Sequence, residues 1–175
     1  MILTVIPNQY ERCIIKDINE QDFTHEDLIE LISKPMISDT KNTSVYIIPF
    51  IMNYTDGKSY TTKSNCELLS AIILDIDGGI TIEDFKRTIH FKYYLYTTFS
   101  HKPDHHKFRV IIPIEHPLTF KSYDTKFMRY WLNSMFPMND PKTWNYRGYY
   151  APNCQSMHNY EWYYRDWETD RKSVV

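Results

Sequence analysis

The sequence predicts an α+β domain, on the basis of element order and composition. From Leu68 onward, apolar runs typical of strands alternate with amphipathic segments typical of helices, in the order strand, helix, strand, strand, helix. Of the 175 residues, 42% are hydrophobic and 24% are charged, as in globular proteins. We therefore expect one domain that is large enough to bury a core.

The first part of the chain is predicted to contain a helix and a pair of strands. The segment THEDLIELIS, residues 24–33, has apolar residues at helical spacing behind a threonine and acids that suit a helix N-terminus, and Pro35 ends it. The β-branched and aromatic run SVYIIPFIM, residues 44–52, is typical of a strand. The residues TDGK at 55–58 are typical of a hairpin turn before a second short strand.

The second part of the chain is predicted to form the core. The apolar run LLSAIILDID is followed by a helix over residues 81–90 and by the strands KYYLYTTFS and KFRVIIPIE. A long helix over residues 119–136 follows, and its apolar side comprises Phe120, Tyr123, Phe127, Tyr130, Trp131 and Met135. This order is most of a ferredoxin-like or RRM-like unit. We expect an RRM-like core with an N-terminal α/β extension.

Charge, cysteine content and hydropathy narrow the classes of function. The formal net charge of -2 indicates no global basic field, although a local groove can still be basic. The cysteines, at positions 13, 66 and 154, are far apart and lack metal-type pairing, which is typical of reduced intracellular thiols. No apolar run reaches the roughly 18 residues of a membrane span, and no signal segment opens the chain. We expect a cytoplasmic protein.

The C-terminal segment RDWETDRKSVV, residues 165–175, differs abruptly from what precedes it. It resembles the conceptual translation of a sequencing-library adapter, and a genuine polar tail is the alternative. We expect a single domain over residues 1–164, with its core motifs at 71–152, and we set residues 165–175 aside as a non-native tail.

Polar side chains stand at the ends of apolar strands. The run AIILDIDGG, residues 71–79, contains Asp75 and Asp77, whose i, i+2 spacing directs both carboxylates to the same face of a strand. Such anions repel each other and are costly to desolvate, and a bound divalent metal ion is the commonest means of compensating their charge. On this argument, Asp75→Asn should leave stability equal or higher. Further along, Ser100 and His101 end a strand and Arg109 lies inside another, so adjacent strands would gather these groups in one cleft.

Three blocks of the sequence resemble one family. The blocks LDIDGG, YLYTTFSHKPDHHKFRVIIPIEHPLT and NDPKTWNYRGYYAPN are similar to the catalytic domain of phage and plasmid primase-polymerases of the archaeo-eukaryotic primase superfamily. The resemblance covers residues 44–152 and lies in the order and spacing of the blocks. It implies a nucleotidyltransferase of DNA replication with an RRM-like core. The implied partners are a single-stranded DNA template, nucleoside triphosphates and a replicative helicase domain or protein.

The resemblance implies a two-metal site for Mg²⁺ or Mn²⁺. The family has an acid-x-acid motif and a later single aspartate, which match Asp75, Asp77 and Asp140 here. Two metal ions suit nucleotidyl transfer because they activate the attacking 3'-hydroxyl and stabilise the leaving pyrophosphate. Asp140 precedes Pro141, so an ordinary turn acid is the alternative. A strand over RGYYAP, residues 147–152, would bring this segment beside the acidic strand.

The resemblance also implies a triphosphate site. The catalytic His101, with Ser100 and Arg109, would hold the incoming nucleotide, and an arginine fork suits phosphate. Arg109 could instead pair with Glu115, and Arg147 could face phosphate or pair with the later aspartate. The family usually has one residue between its serine and histidine, so two other residues are alternatives for the functional histidine, namely His105 and His106.

Other classes of protein fit parts of the pattern. A haloacid-dehalogenase-like phosphatase also has an apolar strand that ends in DxDG and then threonine, but here the threonine is delayed by one position, to Thr81. A non-enzymatic RRM-like nucleic-acid-binding module would stack bases on its tyrosines, but it leaves the clustered acids unexplained. A rolling-circle initiator should have alternating histidines, whereas His105 and His106 are consecutive.

Overall fold

The computed structural model describes residues 4–6, 25–41, 46–52, 63–144 and 148–166. In chain order, the strands of these residues are β1 (Thr4–Ile6), β2 (Met36–Ile37), β3 (Tyr46–Ile48), β4 (Phe50–Met52), β5 (Cys66–Ile76), β6 (Tyr93–Thr97), β7 (Phe108–Thr119), β8 (Tyr149–Tyr150), β9 (Asn153–Cys154) and β10 (Trp162–Arg165). The α-helices are α1 (His25–Ser33), α2 (Ile82–Thr88), α3 (Phe120–Tyr123) and α4 (Lys126–Met135). The predicted α+β class is confirmed.

A five-stranded antiparallel sheet is the centre of the described fold, in the spatial order β10-β6-β7-β5-β4. The three core strands predicted from the sequence are therefore neighbours, with β7 between β5 and β6. In this register Arg109 lies opposite Asp75 on one side and opposite Tyr96 on the other. Two smaller sheets flank the central one, in the orders β1-β3-β8 and β2-β9.

Both faces of the central sheet are covered, which explains the nearly continuous apolar run of β5. On one face, Leu74 and Val110 pack with residues of α2, α3 and α4. On the other face, Ala71 and Ile73 pack with α1 and with Tyr149 of β8. Since side chains alternate along a strand, Asp75 lies on this second face, between the central sheet and β8.

The apolar run at 44–52, which the sequence predicts to be one strand, forms two strands of different sheets. β3 pairs with β1 and β8, whereas β4 pairs with β5. Pro49 lies between them and cannot donate a hydrogen bond to a ladder, and its carbonyl accepts one from the Ser70 amide at 3.0 Å. The predicted turn at 55–58 lies outside the described residues.

The single helix predicted over 119–136 is also wrong, because the chain breaks it into α3 and α4. Thr119 and Thr125 each cap a helix N-terminus, and the Thr125 hydroxyl accepts a hydrogen bond from the Met128 amide at 3.1 Å. The break changes which side of α4 faces the core, so that Leu132 is buried. Most of the predicted apolar side is instead exposed, namely Phe127, Tyr130, Trp131 and Met135.

The start of α2 follows the sequence prediction, whereas the helix ends at Thr88 rather than at His90, and the last described strand packs against it. The Thr81 hydroxyl caps α2 by accepting a hydrogen bond from the Asp84 amide at 3.0 Å. Arg165, the first residue of the segment set aside above, belongs to β10 and donates to the carbonyls of Lys86 and Ile89 at 2.8 and 3.0 Å. None of the described helices is long and apolar enough to cross a membrane.

Candidate active site

A polar cleft of about 250 Å³ lies where β5 ends, between the central sheet and β8. Its lining includes the three predicted carboxylates, Asp75, Asp77 and Asp140, and also Ser100 and Arg109. The other lining residues are Lys41, Tyr46, Thr98, Lys107, Gly148, Tyr149 and Tyr150. The fold thus brings residues from all three resembling blocks to one place.

Asp75 and Arg109 form a buried ion pair in this cleft. Arg109 Nε donates to Asp75 Oδ1 at 2.9 Å, and the side chains of Arg109 and Asp75 are 6% and 9% exposed respectively. Arg109 Nη1 donates to the Tyr150 carbonyl at 2.9 Å, and the guanidinium lies 5.5 Å from the centre of the Tyr149 ring. The alternative pairing with Glu115 is therefore not seen. Arg109 holds Asp75 in place and joins the central sheet to β8.

Arg109 remains charged in this buried position. Burial by itself lowers the pKa of Arg109, but Tyr96 and Asp75 outweigh that effect and raise the pKa. Burial raises the pKa of the Tyr96 hydroxyl, which donates to the Tyr150 carbonyl at 2.9 Å. Asp75, Arg109 and Tyr96 therefore form a row of carboxylate, guanidinium and phenol across three neighbouring strands, and the first two of them line the cleft.

Asp77 lies at the mouth of the cleft, beside a cation that the sequence reasoning missed. Lys107 Nζ is 3.5 Å from Asp77 Oδ1, and the Asp77 side chain is 62% exposed. Lys107 and Arg109 alternate in KFR as Asp75 and Asp77 do in DID, and opposite charges on facing strands stabilise a sheet. That matching alternation was a signal for Lys107. The chain's own cations offset the acids, so their spacing alone does not require a metal ion.

Asp140 is docked onto the acidic strand through backbone contacts. Its amide donates to the Asp75 carbonyl at 3.1 Å, and the Asp75 amide donates to Asn139 Oδ1 at 2.8 Å. The Asp140 carboxylate also accepts a hydrogen bond from the Lys142 amide at 2.9 Å, at the start of a 3-10 turn over Pro141–Trp144. Asp140 is thus both a cleft residue and the turn acid of the alternative interpretation.

The third of the blocks that resemble the primase-polymerase family, residues 139–153, reaches the cleft in a different way from the one predicted. The strand β8 is shorter than the predicted RGYYAP strand, and it pairs with β3 rather than with β5. Its residues nevertheless line the cleft and contact Arg109. Arg147 lies outside the described residues.

Ser100 and His101 have different environments although they are adjacent. Ser100 is exposed and lines the cleft, whereas His101 is 4% exposed and is not among the lining residues. His101 Nδ1 accepts a hydrogen bond from the Lys107 amide at 3.1 Å, and its ring lies edge-on to that of His106 at 5.4 Å. The ring of His105 lies beside Gly78, just after the acidic strand. His101 therefore supports the backbone of Lys107.

We expect the buried His101 to make the fold sensitive to acid. Burial, with smaller contributions from His106 and His105, lowers the pKa of His101 below its usual 6.5, although Glu161 opposes this. As the pH falls, the unfolded chain therefore binds a proton at His101 at a higher pH than the folded chain does. The contribution of neutral His101 to the free energy of unfolding is complete above about pH 6.5. It is lost as the pH falls from there toward the pKa of His101 in the folded state.

Thermal unfolding at about pH 7.5 and about pH 5.5 checks this expectation. His101→Asn keeps an acceptor near the Nδ1 position but cannot be protonated, so the difference between the two midpoints should shrink. The exposed His116 provides the matched control, since His116→Asn should leave the difference as it is in the wild type. An equal pH dependence in wild type and His101→Asn would contradict the assignment.

Gly148 makes the close approach of β8 to β3 possible. A Cβ atom at this position would overlap the Tyr46 ring and lie 3.0 Å from Ile48 Cγ1. We expect Gly148→Ala to lower the free energy of unfolding by about 1–3 kcal/mol, as overpacking does. Urea titration measures the change. Tyr46→Ala should relieve most of the added cost in the double variant, and a Gly148→Ala protein of wild-type stability would refute the overlap.

The chemistry of the cleft suits a divalent cation, but the arrangement of its ligands is incomplete. Carboxylate oxygens are the ligands that Mg²⁺ and Mn²⁺ prefer, and three carboxylates line the cleft. Among the described residues, no three His, Cys, Asp or Glu side chains are grouped closely enough to hold a metal ion together. Asp75 is paired with Arg109 and Asp77 with Lys107. Two of the three carboxylates are therefore already neutralised by cations of the chain.

Comparisons with protein-family models, curated proteins and solved structures find no match to this chain.

Proposed function

We propose that this chain is a metal-dependent nucleotidyltransferase, a DNA primase-polymerase domain of the archaeo-eukaryotic primase type that acts in phage or plasmid replication in the host cytoplasm. One observation carries the proposal. The paired carboxylates that end β5, the single carboxylate after α4 and Ser100 come from separate blocks of the sequence and line one cleft. The partners of the reaction would be a single-stranded template, nucleoside triphosphates and a replicative helicase.

The connectivity of the core supports an RRM-like fold. The elements β5, α2, β6, β7 and then α3 with α4 follow in that order, and the strands lie in the spatial order β6-β7-β5. This order of strands matches the split βαβ arrangement expected of ferredoxin-like units. One difference concerns the edge of β5 that faces away from β7. The strand that pairs there is β4, which precedes β5 in the chain.

In this proposal Asp75, Asp77 and Asp140 would hold Mg²⁺ or Mn²⁺. When bound, the metal would lower the pKa of the attacking 3'-hydroxyl and stabilise the pyrophosphate that leaves the α-phosphate. Arg109 orients Asp75, because its Nε and Nη1 groups already donate to Asp75 and to Tyr150. We therefore assign triphosphate binding not to Arg109 but to groups nearer solvent in the same cleft, namely Lys107, Lys41 and Ser100.

The covered sheet argues against the non-enzymatic RRM-like module. Such a module needs exposed aromatic rings on its sheet to stack bases. Here Tyr94 and Tyr96, on the face of the sheet that carries Asp75, are each 1% exposed. They pack with residues of α1 and with Tyr149 of β8, so the chain itself occupies that face.

The test of the proposal is nucleotide incorporation by the purified chain. A primed and an unprimed single-stranded DNA template are incubated with ribo- or deoxynucleoside triphosphates and with Mg²⁺, Mn²⁺ or EDTA, and the products are separated by length. Metal-dependent extension or primer synthesis is the expected result. Hydrolysis of a simple phosphomonoester without incorporation would overturn the proposal and favour the haloacid-dehalogenase-like phosphatase.

A further inference from the structure

The helix α4 carries an exposed surface of large apolar side chains, which we name the α4 aromatic surface. It comprises Phe127, Tyr130, Trp131 and Met135, which are 73%, 74%, 42% and 48% exposed. Scattered apolar residues on a protein surface need no explanation, whereas neighbouring ones indicate an interaction site. The cleft described above does not include any of these residues.

The spacing of the side chains makes this surface continuous. Tyr130 and Trp131 follow Phe127 by three and four positions, so their Cβ atoms lie about 5–6 Å from that of Phe127 on one side of the helix. The helix is held to the core by other residues, since Leu132 within it and Phe136 after it are buried. The exposed rings are therefore not needed to anchor α4.

The charge of the segment that carries this surface indicates what could bind to it. The segment 119–136 contains Lys121, Lys126 and Arg129 against the single acid Asp124, a net charge of 3 - 1 = +2 in a chain whose net charge is -2. Asp124 is paired with Arg129 at 2.5 Å, whereas Lys121 and Lys126 are exposed. The segment thus combines exposed aromatic rings with an excess of positive charge.

We propose that the α4 aromatic surface binds single-stranded nucleic acid, with bases stacked on Phe127, Tyr130 and Trp131 and phosphates near Lys121 and Lys126. Aromatic rings beside cations are the common means of binding single strands without sequence preference, because every base has a face that can stack. Only the identification of this strand as the template rests on the proposed function. An isologous contact between two copies would instead place the excess positive charges against each other.

The apolar groove next to this surface does not determine the choice of ligand. Trp131 and Met135 also line a groove that contains Lys92 and Glu115, so the charges on that side balance. The excess of cations lies nearer the first turn of α4 and in α3. We therefore expect the phosphates to follow Lys121 and Lys126.

The test is binding of a fluorescently labelled oligothymidylate of about 20 nucleotides, a length that exceeds usual single-strand sites. Anisotropy is measured in EDTA, so that no metal chemistry contributes. Trp131→Ala and Phe127→Ala should each raise the Kd at least about fivefold, the loss expected for one stacked base. Trp162→Ala, which removes an exposed aromatic ring from β10, is the matched control and should leave the Kd unchanged.

The contribution of the lysines is measured from the dependence of affinity on salt. Lys126→Gln should reduce the slope of log K against log salt concentration by about 0.7, the value for one phosphate contact to a single strand. An unchanged slope, or an unchanged Kd for both aromatic variants, would overturn the proposal. A concentration-dependent dimer that Trp131→Ala dissociates, with no change in oligonucleotide affinity, would assign the surface to a second copy instead.

The two proposals fail in different ways. If the wild type binds the oligonucleotide through α4 but incorporates no nucleotide, the proposed function fails and this inference stands. If it incorporates nucleotides but the α4 variants bind normally, the inference fails and the proposed function stands.

Discussion

Asp77→Asn is expected to reduce nucleotide incorporation by at least about a hundredfold, because a metal ligand contributes several kcal/mol to stabilisation of the transition state. The fold should remain intact. The Asp77 side chain is 62% exposed and its contact with Lys107 is 3.5 Å, so the free energy of unfolding should change by less than about 0.5 kcal/mol. The measurements are incorporation rates and calorimetric titration with Mn²⁺, which should bind more weakly to the variant.

The control for this prediction is an acid of similar exposure that lies away from the cleft. Glu30 of α1 pairs with Lys34, which directly follows the helix, with side chains 66% and 74% exposed, and Glu30→Gln should incorporate nucleotides at the wild-type rate. If Asp77→Asn polymerises normally, Asp77 serves only as the partner of Lys107, and the metal role is wrong.

Asp75→Asn is expected to lower the free energy of unfolding by about 3–5 kcal/mol, the cost of leaving a buried charge without its partner. The guanidinium of Arg109 is 6% exposed as a side chain and stays charged, so it would lose the carboxylate that compensates it. This reverses the expectation drawn from repulsion between Asp75 and Asp77, since the fold places a cation against each of them. Urea titration of the variant gives the value.

A double-variant cycle separates the pair from its surroundings. Asp75→Asn combined with Arg109→Met removes both charges, and we expect it to lose less stability than the two single variants together, with a coupling free energy above about 1 kcal/mol. Glu30→Gln breaks an exposed pair and should cost only about 0.5 kcal/mol or less. An Asp75→Asn protein with wild-type stability would show that the buried pair does not hold the fold.

Because Asp75 has this structural role, loss of activity in Asp75→Asn alone says little about catalysis. Asp77 provides the sharper test, since its side chain is largely exposed and contributes little to the core.

Local patterns in the sequence were sufficient for most elements of the core. The nearly continuous apolar run of β5 and the threonine cap of α2 are properties of neighbouring residues, so both could be predicted directly from the sequence. The shared face of Asp75 and Asp77 follows from the alternation of a strand in the same way. The adjacency of β5, β6 and β7 was also expected, because their order matches a common α+β unit.

Only the tertiary structure decided which cation neutralises each acid and which side of α4 is buried. Asp75 and Arg109 are 34 residues apart, and their pairing depends on the register between β5 and β7. A shift of one residue in that register would have placed the two side chains on opposite faces of the sheet. The exposed rings of α4 likewise follow from the break before Thr125, after which Leu132 is the side chain that the helix buries. Local periodicity defines an apolar side, but contacts between distant segments determine whether that side is covered.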